Sequence, residues 1–322
     1  DAFTVDYDTA GQAVNLVYSG ATVGWTPASD IVSALEPVAP PVQKALFGYG
    51  SGSSSLTNLV NSSGVIASDT TGVGTGRSGL AAASYGGDKA IFGYGTTGSN
   101  VSLTNLVNNS GVVAADVTGV GTARSNLEAA GYGGDKAIFG YGNSGSASSL
   151  TNLVSNSGVV AADVTGVGTA RYTLGAADYG TDKAIFAFGT TGSVTNLSNL
   201  VSNSGIVASD TAGVGTARNY LAAASYGGDK AIFGYGYAGG NVSMTNLVNN
   251  LGVIGSDVSG VGTARNNLSA TGYGGDKAIF SFAGSSNSST NLVNSSGVVA
   301  SDITGVGTAR EGASAAGYSF SA

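Results

Sequence analysis

Six aspartates each stand eight residues ahead of an arginine: Asp69 before Arg77, Asp116 before Arg124, Asp163 before Arg171, Asp210 before Arg218, Asp257 before Arg265 and Asp302 before Arg310. The segment between them is glycine-rich, as in "DVTGVGTAR". A carboxylate in such a loop is a ligand type that Ca²⁺ takes, and a set of guanidinium groups can grip an acidic glycan. One carboxylate per loop is too few for a hard cation that wants several oxygens, so no metal site is expected. The aspartate is expected instead to cap turn amides with the downstream arginine as its partner. Recurrence in every copy favours a scaffold role for both residues.

Other chemistry is sparse. The chain has 322 residues, no Cys and no His, which removes thiolate and imidazole metal sites, disulfides, and Ser-His or Cys-His nucleophiles. Its only glutamates are Glu36, Glu128 and Glu311, and no paired-carboxylate motif stands out for glycoside cleavage. No catalytic residue, no cofactor and no enzyme activity are expected. A net charge of −7 argues against holding a nucleic-acid backbone. No run of about 18 apolar residues exists, so no membrane insertion is expected.

What could bind lies in segments that differ between copies. "SGSSS" (51–55), "TTGSNVS" (96–102), "NSGSASS" (143–149), "TTGSVTN" (190–196), "YAGGNVS" (237–243) and "GSSNSS" (284–289) are built from Ser, Gly, Asn and Thr. Loops on a rigid frame are where binding usually resides. Asn100, Asn143 and Asn241 could meet sugar hydroxyls, and Tyr172, Tyr220 and Tyr237 could stack on a pyranose ring. The competing reading is that these are merely soluble turns.

The frame is a repeat. Lys44, Lys89, Lys136, Lys183, Lys230 and Lys277 are spaced by 45, 47, 47, 47 and 47 residues, and with the six arginines they are all the basic residues present. In residues 78–124, "SGLAAASYG" reads as a strand of small residues, Gly86-Gly87-Asp88 as a hairpin turn and "KAIFGYG" as a second strand. "LTNLVNN" reads as a third strand and "VVAADV" as a fourth. Each lysine beside its aspartate is expected to form a solvated ion pair on the face opposite the arginines.

Four short strands per 47 residues predict an all-β fold, a six-bladed β-propeller with four-stranded blades. Blades sandwiched between neighbours are buried on both faces, which accounts for the lost alternation. The array starts mid-unit at "KALFGYG" (44–50) and ends in "EGASAAGYSF" (311–320), the strand the first unit lacks, so the C-terminal strand is expected to close the ring.

The arrangement of Arg, "AAxxYGxDKAIFxFG" and "TNLV" resembles the kelch type of propeller blade over residues 44–322. It departs in having "GYG" or "AFG" for the glycine pair and no Trp in the outer strand. The aspartate loop is similar to the Asp-box turn of sialidase propellers, again without the Trp. Residues 1–43 form a separate lead with all four prolines and Trp25. There "QAVNLVYSGATVGWTPAS" reads as a β-hairpin turning at Ser19-Gly20, with Val14, Leu16 and Tyr18 on one face, followed by a stiff linker.

"VNLVYSGATVGW" and the tandem "DKAIFGYG…TNLVNNSGVVA" units resemble segments of bacteriophage fibre and tail structural proteins, particularly marine ones. That resemblance implies a non-enzymatic adhesin or decoration module on an extracellular virion surface. Residues 1–43 would join other virion proteins, host-surface glycans would be the ligand, and a homotrimer would be the assembly. A lectin-like propeller outside any virion and a glycan-active enzyme are the alternatives. A chain beginning at Asp1 is expected to be either processed or part of a longer polypeptide.

Overall fold

The structure is a computed structural model in which residues 16–18, 25–27, 43–52, 54–284 and 287–319 are described. The chain divides into two compact units, Asp1–Pro40 and Pro41–Ala322. In the first, β1 (Leu16–Tyr18) pairs antiparallel with β2 (Trp25–Pro27), Tyr18 lying opposite Trp25. The expected Ser19-Gly20 turn, Val14 and the proline linker lie outside the described residues.

The second unit is all β among its described residues, in six three-stranded antiparallel sheets. The first sheet combines β3 (Lys44–Gly50) and β4 (Ser54–Val60) with the last strand of the chain, β20 (Ser314–Tyr318), which pairs with β3. The second holds β5 (Ala81–Tyr85), β6 (Lys89–Gly93) and β7 (Thr104–Val107), and the third β8 (Glu128–Tyr132), β9 (Lys136–Gly140) and β10 (Thr151–Val154). The fourth holds β11 (Gly175–Tyr179), β12 (Lys183–Ala187) and β13 (Ser198–Val201), and the fifth β14 (Ala222–Tyr226), β15 (Lys230–Gly234) and β16 (Thr245–Val248). The sixth holds β17 (Leu268–Tyr273), β18 (Lys277–Ala283) and β19 (Asn291–Val293).

The cores lie between sheets. Ile91 and Phe92 on β6 are fully buried although they point to opposite faces. One cluster joins Ala83, Ile91 and Tyr94 of the second sheet to Leu127, Ala129 and Phe139 of the third. The approach is close enough that a Cβ on Gly93 would lie 2.7 Å from the Phe139 ring, so a side chain there would need the ring to shift, and the repeats vary only between Gly, Ala187 and Ser281 at this position. Tyr94 meets Phe139 edge-on at 5.1 Å between centroids.

Main-chain hydrogen bonds also pass from sheet to sheet. Gly86 N donates to Asp135 O, Gly133 N to Asp182 O, Gly180 N to Asp229 O and Gly227 N to Asp276 O. The series continues from Gly274 N to Gln43 O, and Ser319 N donates to Asp88 O. Each sheet thereby bonds to the next, and the sixth bonds to the first.

The expected fourth strand is not one. "VVAADV" touches β7 only through the isolated bridges Val107↔Val113 and Thr104↔Val117. Between them the Asn105 side chain takes the place of a main-chain donor, its Nδ2 bonding Ala114 O at 3.0 Å. An inserted side chain holds the two backbones apart, and the ladder stops.

Candidate functional site

The arginines are spent inside the fold. Arg77, Arg124, Arg171 and Arg218 are 0% exposed, and Arg310 and Arg265 only 2% and 3%. Arg77 shows the full set of contacts, which Arg124 and Arg310 repeat, while Arg171 turns its Nη2 to Phe186 O. The Arg77 guanidinium lies 4.5 Å from the centroid of the Tyr49 ring, earlier in the same repeat. Nε donates to Tyr94 O at 2.7 Å, Nη1 to Thr75 O at 3.1 Å and Nη2 to Asn105 Oδ1 at 2.8 Å. Burial lowers the Arg77 pKa, partly offset by Tyr49 and Asp116.

The aspartate partner differs from the sequence expectation. Arg77 approaches Asp116 of the following repeat at 3.9 Å, and Arg310 approaches Asp69 at 3.8 Å, so each pair bridges two repeats. Asp116 accepts from Thr75 N at 3.0 Å, Thr75 Oγ1 at 2.6 Å and Asn105 Nδ2 at 2.9 Å. Burial pushes its pKa up, but bonds from Thr75 and Asn105, helped by the Arg77 charge, hold it below the usual value. Asp163, Asp210, Asp257, Asp302 and Asp69 bond the corresponding threonines Thr122, Thr169, Thr216, Thr263 and Thr308. The aspartates do cap loop amides, but those of the neighbour's loop. Among the described residues no cluster of acids could hold a metal ion.

Five of the six lysines are ion-paired at the hairpin turns. Lys89 Nζ lies 2.7 Å from Asp88 Oδ1, and Lys136, Lys183, Lys230 and Lys277 repeat the contact with their adjacent aspartates.

A different group gathers where the arginine connection meets the variable loops. Gly79, Asn126, Thr173, Tyr220, Asn267 and Gly312 all have positive φ, between 51° and 61°. Each links two repeats: Gly79 N donates to Gly312 O, Asn126 N to Gly79 O, Thr173 N to Asn126 O, Tyr220 N to Thr173 O and Asn267 N to Tyr220 O. The loops begin beside these positions, as Tyr172 bridges Thr190, Asn219 bridges Tyr237, and Tyr237 bridges Asn241.

Tyr172 and Tyr220 are half-buried, while Tyr237 is 40% exposed and Asn241 is exposed. Burial, then the nearby Tyr172 and Glu311, push the Tyr220 phenol up. The structure thus brings Tyr172 and Tyr220 together, and places Tyr237 and Asn241 beside Asn219. Asn100 and Asn143 form a second group whose amides are partly used to fix the loops. Asn100 Nδ2 donates to Asn143 O at 2.8 Å, and Asn143 Oδ1 accepts from Gly145 N at 2.8 Å.

Sequence reasoning missed three sets of residues. The buried asparagines of "TNLV", such as Asn105 and Asn152, were legible as invariant within the repeat. Glu311 could be found only through its place beside Tyr220. Two acids, Glu128 on β8 and Asp178 on β11, carry no adjacent cation among the described residues. Burial pushes Glu128 up to about 8, and raises Asp178 although Ser225 Oγ donates to it at 2.9 Å. Glu128 keeps some accessible surface, yet β8 is packed between β5 and β11, and the protein around the carboxyl decides the direction of its shift.

No helix among the described residues is long and apolar enough to cross a membrane. No protein-family model matches the chain, and no curated protein matches it.

Proposed function

We propose that the second unit is a closed six-bladed propeller of kelch-like blades that acts as a non-enzymatic recognition module. The reading of closure is supported by the pairing of β20 with β3 and by the six main-chain bonds that step from sheet to sheet and return to the first. The functional reading takes it as an extracellular module displayed on a virus particle, with residues 1–43 as the attachment to other virion proteins and a trimer as the assembly. Its ligand would be a glycan of the host surface, held at the loop end around Tyr172, Tyr220, Tyr237 and Asn241. A lectin-like module free of any virion uses the same loop end.

One observation carries the recognition reading. Across six near-identical repeats the arginines are consumed by packing, whereas tyrosines, asparagines and Glu311 collect at the one end where the loops differ. Aromatic faces with amides around them suit the C–H face and hydroxyls of a sugar. A glycan array probed with the whole chain tests it. Binding that falls at least tenfold in Tyr237→Ala, with an unchanged melting temperature, is the expected result. An array without signal, or binding indifferent to every change at the loop end, overturns it. Turnover of a glycoside would restore an enzymatic reading.

A further inference from the structure

The first repeat breaks the pattern at one charged position. In the other five, each lysine has an aspartate immediately before it and an ion pair of 2.7–3.1 Å. Before Lys44 stands Gln43. The Gln43 backbone is in the ordinary place: its carbonyl accepts from Gly274 N just as Asp135 O accepts from Gly86 N. Only the side chain has changed. The asparagine that steadies the aspartate is changed as well. Asn109 Nδ2 bonds Asp88 Oδ2 and Asn156 Nδ2 bonds Asp135 Oδ2, whereas the first repeat has Ser62 at that position, as the sixth has Ser295. Lys44 has no carboxylate within 4.0 Å and no hydrogen-bonded partner among the described residues.

This lysine lines a cleft of about 380 Å³ between the first and second sheets, at the hairpin-turn end and away from the variable loops. Leu59 and Tyr318 make its apolar wall, and Asn61, Asn109 and Ser110 add polar groups. Asn61 Oδ1 already accepts from Ser63 N and Val65 N, which leaves its amide N–H groups to donate. Asn109 gives its amide to Asp88 and keeps its Oδ1 as an acceptor.

We infer that this cleft is a binding site for a carboxylate-bearing sugar, a uronic acid being the simplest case. The Lys44 ammonium meets the carboxylate, the amides and the Ser110 hydroxyl meet ring hydroxyls, and the apolar wall covers a C–H face. The volume sits at the small end of the range for ligand sites, the size of one sugar unit. A half-buried ammonium without a counter-ion among the described residues attracts an anion most strongly at low salt. The site is independent of the loop end, so either can fail without the other.

The test uses the whole chain and sodium glucuronate, with glucose as the neutral control, followed by saturation-transfer NMR at low salt. Glucuronate should bind with a dissociation constant on the order of 1 mM, as a single ion pair with few contacts allows, and glucose should not. Lys44→Gln should weaken binding at least tenfold. Gln43→Asp should do the same while the fold is kept, since it restores the pair that five other repeats carry. Tyr237→Ala should leave glucuronate binding unchanged.

Equal binding of glucose, absence of glucuronate binding up to about 20 mM, or full binding by both seam variants overturns the site. Loss in Tyr237→Ala alone would place the sugar at the loop end instead. An oligo-aspartate peptide that binds Lys44 more tightly than glucuronate would overturn the assignment to a sugar.

Discussion

At the residue scale, charge in this protein is used as cement between repeats. Asp163 accepts from Thr122 N, Thr122 Oγ1 and Asn152 Nδ2, and it faces the buried Arg124 at 3.8 Å. Replacing it by alanine removes charge-assisted hydrogen bonds and leaves a buried guanidinium with one partner fewer. Hydrogen bonds to charged groups contribute about 1.5–3 kcal/mol each, and the loss is partly offset because the site borders water. Asp163→Ala should therefore destabilise by roughly 2–3 kcal/mol, read as a lower urea midpoint with an unchanged slope. A change below about 0.5 kcal/mol would mean the clamp contributes nothing. The pairing could not be read from the chain, because eight residues separate Asp163 from Arg171 while its true partner Arg124 is 39 residues upstream. Residue types were legible, and the direction of the contact was not.

At the element scale, the sequence speaks clearly wherever side chains fill space and poorly where they replace backbone. "KAIFG" and "TNLV" were legible as strands because their apolar residues are bounded by glycine and asparagine turns. "VVAADV" has the composition of a strand, but the Asn105 amide intrudes and leaves Val112 60% exposed. The row of positive-φ residues was illegible because its members, among them Thr173 and Tyr220, share a conformation and not a side-chain type.

The strand β20 gives a prediction at this scale. Removing residues 311–322 takes away Ala315, Ala316 and Tyr318, which are 8%, 3% and 3% exposed, and bares β3. Fully burying a large apolar side chain contributes about 1.5–3 kcal/mol, so the truncation should destabilise the unit by several kcal/mol. A melting temperature within about 2 °C of the intact chain would show that β20 does not hold the first sheet to its neighbours.

At the scale of the whole molecule, two sets of acids set opposite pH limits. The six clamp aspartates have pKa values held below 3.8 in the fold, so the unfolded chain binds protons first as pH falls. Their stabilisation is present above 3.8 and is lost as pH drops through that region. Glu128 works the other way. Its pKa rises from 4.5 to about 8, so the folded state binds the extra proton between those values and stability declines as pH rises toward 8. Melting temperature should climb as pH is lowered from about 8 toward 4.5, then drop as pH approaches 3.8. Glu128→Gln should reduce the alkaline limb, leaving only what the raised Asp178 contributes, and should leave the acid limb intact. An alkaline limb undiminished by the substitution would assign it to another group.

The seam where the first sheet takes its edge strand β20 from far along the chain has a kinetic side. β5, β8, β11, β14 and β17 each reach their partner through a tight hairpin, whereas β20 must find β3 across the whole intervening sequence. Until it does, β3 shows an open edge that the tail of a second molecule fits equally well. Refolding from urea at high protein concentration should yield intertwined dimers that rapid dilution suppresses, separable by size-exclusion chromatography. A circular permutant that joins Ser319 to Gln43 through a short linker would then speed folding by making that encounter local.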